Sequence, residues 1–296
     1  SGCGKSVTSR AILQIVHKAG RIVEGQILYN RPHNGTVNTI DIAKIPKRSQ
    51  QIRSIRGNEI SMIFQEPMTS LSPMYTVGNQ IMETILLHDS VSKQEARNRA
   101  IELLGHVGIP KPDRLVDEYP FRLSGGMRQR AMIAMALSCN PNLLIADEPT
   151  TALDVTTQAQ ILDLMLKLQE EHNMAILFIT HDLAVVAEMC DNVAVMYLGR
   201  IVEYTTVKNI FYDPLHPYTT GLLQSIPKIG KEAKKTLKSI EGSVPVPIGL
   251  PPQCGFVERC EHAIQGVCDK QVPPLAEIKP GHLVRCFLYS DMGKTA

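Results

Sequence analysis

Three groups of residues in this chain have the types and spacing to handle phosphate. Gly4-Lys5-Ser6 is the second half of the pattern G-x-x-x-x-G-K-[ST]. In that pattern glycines let successive backbone N–H groups wrap a phosphate at a helix start. The lysine ammonium reaches the outer phosphates, and the hydroxyl ligates Mg²⁺. The first glycine is expected two positions before Ser1, so the motif is already under way where the chain opens. Leu143 to Asp147 reads as a buried strand that delivers a carboxylate to the C-terminal edge of a sheet, where open α/β sheets bind ligands. There Asp147 can hold Mg²⁺ through water, and Glu148 can polarise a water for attack on a γ-phosphate. Leu123-Ser124-Gly125-Gly126-Met127 sets two glycines at the start of a helix that runs on through Leu137. Its exposed N–H groups make a second phosphate site, to which Ser124 adds a hydroxyl. Taken singly, each group also has a plainer reading: a Gly-rich turn, a capping acid pair, an ordinary helix entry.

Cysteine is the other reactive type. Of seven, Cys254, Cys260, Cys268 and Cys286 crowd toward the C-terminal end with the spacing C-x5-C-x7-C-x17-C. An odd total and no recognisable export signal favour a reducing compartment, where clustered thiols more often hold a metal than pair with one another. The spacing matches neither the C-x2-C pairs of zinc ribbons nor the tight runs of ferredoxins, and four thiolates suit zinc or iron–sulfur alike. His262 and His282 stand nearby as substitute ligands, and free thiols are the plainer alternative.

These residues need a scaffold to bring them together, and hydrophobic periodicity supplies one. Helical spacing is expected from Val7 to Ala19, from Ser92 to Val107, and around Ile161, Met165 and Leu168. Short buried strands are expected at Ser61 to Phe64, Leu143 to Ala146, Ala175 to Thr180 and Val193 to Tyr197. Continuous apolar strands alternating with helices predict an α/β fold, a parallel sheet covered on both faces. Beyond Leu223 the pattern gives way to Lys228, Lys231, Lys234, Lys235 and Lys238, then to Pro245, Pro247, Pro251 and Pro252, an extended connector. An appendage therefore begins near residue 230.

Composition narrows the function classes. The 296 residues carry a net charge of +2, which gives no case for nucleic acid or an anionic membrane. The basic stretch Lys44, Lys47, Arg48, Arg53 and Arg56 has no interleaved aromatic to stack on bases and reads as a solvated face. The longest apolar run, Ala131 to Leu137, is far short of the ~18 residues that cross a bilayer.

Gly4-Lys5-Ser6, Gln65, Ser124-Gly125-Gly126, Asp147-Glu148, Ala152-Leu153-Asp154 and His181, in that order, resemble the motif set of ABC-type ATPases, with Met127 where Gln is commoner. The resemblance covers about residues 1 to 223. It implies a P-loop NTPase core over 1–230 with an inserted helical subdomain at about 68–136, followed by a Pro/Cys-rich extension over 231–296. It further implies that Ser1, Gly2, Cys3, Gly4, Lys5, Ser6 and Val7 bind nucleotide. Ser6, Gln65 and Asp147 would hold Mg²⁺, and Lys5, Gln65, Glu148 and His181 would serve catalysis. Gln65 resembles the Q-loop glutamine that senses the γ-phosphate, His181 the switch histidine that touches it, and Asp154 a member of the D-loop along a dimer seam. Ser124, Gly125 and Gly126 would complete the site of a second subunit, so that two chains sandwich two ATP. The strand and the aromatic residue that stack on adenine are expected upstream of Ser1.

A closer resemblance is to the ATPase subunits of dipeptide, oligopeptide and nickel importers. It rests on Met68-Thr69-Ser70-Leu71-Ser72-Pro73, with Ser72 where Asn is usual, on Pro214-Leu215-His216-Pro217-Tyr218-Thr219, and on the connector with its four late cysteines. That likeness implies ATP hydrolysis powering peptide import from the cytoplasmic face of the cell membrane. The implied partners are transmembrane permease subunits, touched by residues from Pro67 to Val77, a second ATPase subunit, and indirectly an extracytoplasmic solute-binding protein. A [4Fe–4S] cluster would sit on Cys254, Cys260, Cys268 and Cys286, with zinc as the alternative. The rival readings are an ABC ATPase of the repair type acting on nucleic acid, and import of nickel or another small solute. Against the repair type stand the compact interval from Lys5 to Ser124 and the single motif set.

Overall fold

Asp147 ends a strand that lies in the middle of a three-stranded parallel sheet, and the elements around that sheet follow from local physics. In a computed structural model, residues 3–33, 36–65, 70–151, 153–226, 240–245, 248–249 and 251–290 are described. Ser1, Gly2, Pro67, Met68, Thr69, Ala152, Pro247 and the lysines from Lys228 to Lys238 lie outside the described residues. The chain forms two compact units, Ser6–His181 on the one hand and Ser1–Lys5 with Asp182–Ala296 on the other.

In the first unit, β1 (Leu28–His33) and β2 (Thr36–Asp41) pair antiparallel. Strands β3 (Ile60–Ile63), β4 (Leu143–Asp147) and β5 (Ala175–Ile179) form the parallel sheet in that order. The apolar run of β4 is explained by its place: Leu144, Ile145 and Ala146 are fully buried, with a strand on either side. Beside it, Leu13, Ile42, Ile52, Ile55, Ile60, Ile145 and Ile179 make one apolar core. Helix α1 (Lys5–Ile12) is followed by α2 (Gln50–Ile55), α3 (Val77–His88), α4 (Lys93–His106), α5 (Pro112–Leu115), α6 (Gly125–Leu137) and α7 (Val155–His172). Thr76, Ser92, Ser124 and Asp154 cap α3, α4, α6 and α7, each side chain accepting the backbone N–H three residues on.

Three expectations change here. The helix predicted to reach Ala19 stops at Ile12, because Gln14 takes a left-handed backbone (φ 52°). Its side-chain amide donates to the carbonyls of Ile42 and Ile45, and Arg56 donates to those of Leu13 and Gln14. Arg56, read as part of a solvated face, thus locks this turn instead. Strand β5 is less buried than its apolar run suggests, with Leu177 38% exposed, because among the described strands it pairs only with β4.

In the second unit, β6 (Asn192–Tyr197) and β7 (Arg200–Thr206) join β8 (Ala276–Lys279) and β9 (His282–Val284) in an antiparallel sheet of order β6-β7-β9-β8. The segment from Val193 to Tyr197 is a strand, as read, but it does not lie in the parallel sheet. Helices α8 (Leu183–Met189), α9 (Val207–Tyr212) and α10 (Pro217–Gln224) complete this unit. Glu203 on β7 is fully buried and accepts from the backbone N–H of Leu215 (2.7 Å) and His216 (3.0 Å), with Nε2 of buried His282 on β9 at 2.7 Å. His216 then caps α10 through Nδ1, which accepts the N–H of Tyr218. The Pro214–Thr219 element is therefore the entry to α10, with its cap held by a buried carboxylate.

Candidate active site

Lys5 and Ser6 open α1, and Gly4 before them has φ +90°, a conformation suited to glycine. Cys3 is buried and its carbonyl accepts the N–H of Gly199 (2.9 Å). The Ser6 hydroxyl donates to Oδ1 of fully buried Asp147 at 2.9 Å, a contact between residues 141 apart in sequence. A hydroxyl beside a buried carboxylate is a hard-oxygen donor set of the kind Mg²⁺ takes.

Glu148 is the hub of the other half. Its backbone leaves β4 in a left-handed conformation (φ 48°), held by an N–H that donates to Ile179 O (2.8 Å). Such a backbone costs a non-glycine residue about 1–3 kcal/mol and turns the side chain off the line of the strand. The carboxylate accepts from Gln65 Nε2 at 2.8 Å and from the Thr151 hydroxyl at 3.2 Å, and His181 Nδ1 lies 3.1 Å from its other oxygen. An ionised carboxylate only accepts, so the last contact calls for the tautomer with its proton on Nδ1. Glu148 is mostly buried and His181 mostly exposed. Gln65, Glu148 and His181, separated by 83 and 33 residues, thus meet at one point. Thr151 was not read from the sequence; its place three residues after Glu148, in the turn that follows β4, was the available signal.

At the third motif, Ser124 Oγ accepts the Met127 N–H (3.3 Å) and so serves as the cap of α6. Gly125 lies beside Leu153, and a side chain on Gly126 would press Thr157 of α7, where a Cβ would stand 2.8 Å from Cγ2. Asp154 is committed to capping α7 through Thr157, which holds its carboxyl below the usual range. Val7 is exposed on α1.

The four late cysteines are free thiols of the second unit. The N–H of Cys254 donates to the carbonyl of Cys268 (2.8 Å), and Cys254 and Cys260 pack against a core of Cys3, Tyr197, Val202 and Phe256. Burial above all, with a contribution from the neighbouring Cys254, Cys260 and Cys268, pushes the Cys286 thiol up to about 12. Among the described residues, no three of His, Cys, Asp and Glu are placed to hold one metal ion. The expected iron–sulfur or zinc site is therefore not formed as the thiols stand.

Two family models match this sequence. An "ABC transporter" model matches residues 1–151, and an "Oligopeptide/dipeptide transporter, C-terminal region" model matches residues 202–268. The chain belongs to the ABC transporter family. This ABC subunit is 53% identical over 294 residues to the oligopeptide transport ATP-binding protein AppD of Bacillus subtilis (strain 168), covering 99% of this chain and 86% of that one. It is 46% identical over 287 residues to the oligopeptide transport ATP-binding protein OppD of Escherichia coli (strain K12), covering 97% and 81%. Among solved structures, the ABC subunit resembles the ATP-binding cassette MJ0796 in a dimeric post-hydrolysis state bound to ADP and Pi. The TM-score is 0.56 at 27% identity, over 69% of this chain and 81% of that one. The ABC subunit is thus an ATPase with the fold of that family. Among its described residues no helix is long and apolar enough to cross a membrane.

Proposed function

We propose that this ABC ATPase powers import of di- or oligopeptides from the cytoplasmic face of the cell membrane. The observation that carries the reading is the match of residues 202–268 to the C-terminal region of oligopeptide/dipeptide transporters, joined to an ABC core. Lys5 and the loop before it bind the phosphates of ATP, and Ser6, Asp147 and Gln65 would hold Mg²⁺, which when bound neutralises phosphate charge. Glu148 takes the proton of the attacking water. Gln65 and His181 both rest on Glu148. Both contacts hold the carboxylate in place for that water. Ser124, Gly125 and Gly126 address the nucleotide of a second subunit, so closure is tied to ATP occupancy.

The permease contact falls on the segment after Gln65. Gln80, nearly buried on α3, accepts the Ser72 N–H (2.8 Å) and donates to the carbonyls of Ser72 (3.1 Å) and Tyr75 (3.0 Å). That clamp leaves Met74 and Tyr75 exposed, an apolar pair suited to a partner helix. The test is uptake of a labelled tripeptide in cells lacking the chain. Restoration by the wild type but not by Lys5→Ala supports the reading. Restored uptake of nickel alone, or ATPase activity stimulated by DNA without any permease, overturns it.

The four cysteines are proposed to ligate a [4Fe–4S] cluster, with zinc the rival. Support comes from the closeness of the thiols, since burial and then neighbouring cysteines raise the pKa of Cys254, Cys260 and Cys286 within a small Pro-rich segment, which a metal would staple. Anaerobically purified chain is expected to carry about four irons and four sulfides, both lost in Cys268→Ser. Stoichiometric zinc would make the segment a plain structural knuckle, and absence of any metal would refute the site.

A further inference from the structure

The groups that hydrogen-bond the Glu148 carboxylate differ in kind. Gln65 and His181 reach it from 83 and 33 residues away, so their contacts depend on how two other loops sit. Both also carry a second expected duty, Gln65 toward Mg²⁺ and His181 toward the γ-phosphate. Thr151 is different. Its hydroxyl donates to Oε2 at 3.2 Å from only three residues on, and the proposed mechanism gives it no other task.

The backbone presents that hydroxyl on a stiff turn. The Glu148 N–H donates to Ile179 O (2.8 Å), and Glu148 O accepts the N–H of Thr151 (3.2 Å). Between the two residues Pro149 and Thr150 are buried, and the proline ring fixes one φ angle. The Leu153 N–H then donates to Thr150 O (3.2 Å). A hydroxyl that bonds three residues back can simply fasten a turn. Here backbone hydrogen bonds and a proline already fasten it. Thr151 is also exposed, so core packing does not call for a threonine there. What the hydroxyl adds is a donor on a carboxylate whose own backbone sits in the left-handed region (φ 48°). Hydrogen bonds to an ionised acceptor are among the stronger ones, and a side chain oriented in advance loses less freedom when it meets its reactant.

We infer that Thr151 is a positioning residue for ATP hydrolysis, its hydroxyl holding the Glu148 carboxylate oriented toward the attacking water. The inference rests on the reading of Glu148 as the base. Turnover and KM for ATP are measured on the full chain for Thr151→Val, Thr151→Ser and Glu148→Gln, and for Thr151→Val combined with Glu148→Gln. Thr151→Val is close in shape and removes the hydroxyl. It is expected to lower kcat by about 10-fold, with KM for ATP and melting temperature unchanged. Thr151→Ser keeps the hydroxyl and is expected to stay within about 2-fold of the wild type. In the Glu148→Gln background, Thr151→Val is expected to change turnover by less than about 2-fold, because the base through which it acts is gone. Four results would each overturn the inference while leaving Glu148 as the base: wild-type kcat in Thr151→Val, a raised KM with kcat unchanged, a loss in Thr151→Ser as large as in Thr151→Val, or the same loss in both backgrounds. Normal turnover in Glu148→Gln would overturn both.

Discussion

Glu148→Gln is expected to lower steady-state ATP hydrolysis by about 10²–10⁴-fold, the range contributed by a positioned general base. The amide keeps the shape of the side chain, and one oxygen remains to accept from Gln65 or Thr151, so the local fold should survive. What it loses is the ability to take a proton. ATP binding should be unchanged, because the contact between Ser6 and Asp147 does not involve Glu148. A nucleotide-binding titration beside a phosphate-release assay separates the two effects. Normal turnover in the variant would remove Glu148 from the role of base and would leave its left-handed backbone without a functional reason.

Gly125→Val is expected to cost about 10²–10³-fold in turnover, the scale seen when backbone donors that stabilise developing charge are removed. A Cβ at Gly125 meets only Leu153 at 3.8 Å, an ordinary contact, so α6 should tolerate it. The branched side chain instead covers the N–H groups at the start of that helix. If those groups serve a second subunit, the defect acts in trans. Mixing Gly125→Val chains with Lys5→Ala chains should restore activity, since one site of each mixed pair then has an intact loop and an intact signature. No recovery from two folded variants that pair normally would assign both motifs to one chain's own site.

Much of this organisation is legible in residue order because it rests on short-range physics. An apolar run ending in Asp147 forms a central strand, and Ser92 and Ser124 become helix caps because a hydroxyl before a helical stretch satisfies an orphan N–H. The composition of Gly4-Lys5-Ser6 names phosphate by the same local logic. The His216 turn was read as a family mark, while its chemistry, a cap held from below by Glu203, came only with the fold.

What the tertiary structure alone decided concerns long-range pairing. Sequence order placed Gln65, Glu148 and His181 in the family pattern, but parallel crossovers brought their side chains within hydrogen-bond reach. The apolar run from Val193 to Tyr197 announces a strand without stating its direction or partner, and β7 proved to be shared with β9 from the late segment. The Gln14 turn that ends α1 depends on carbonyls of Ile42 and Ile45 about thirty residues away. By itself, the sequence determined the chemistry available and the local elements that carry it. Which groups meet was left to sheet order and register, because hydrophobic periodicity is a property of one segment, whereas a contact needs two.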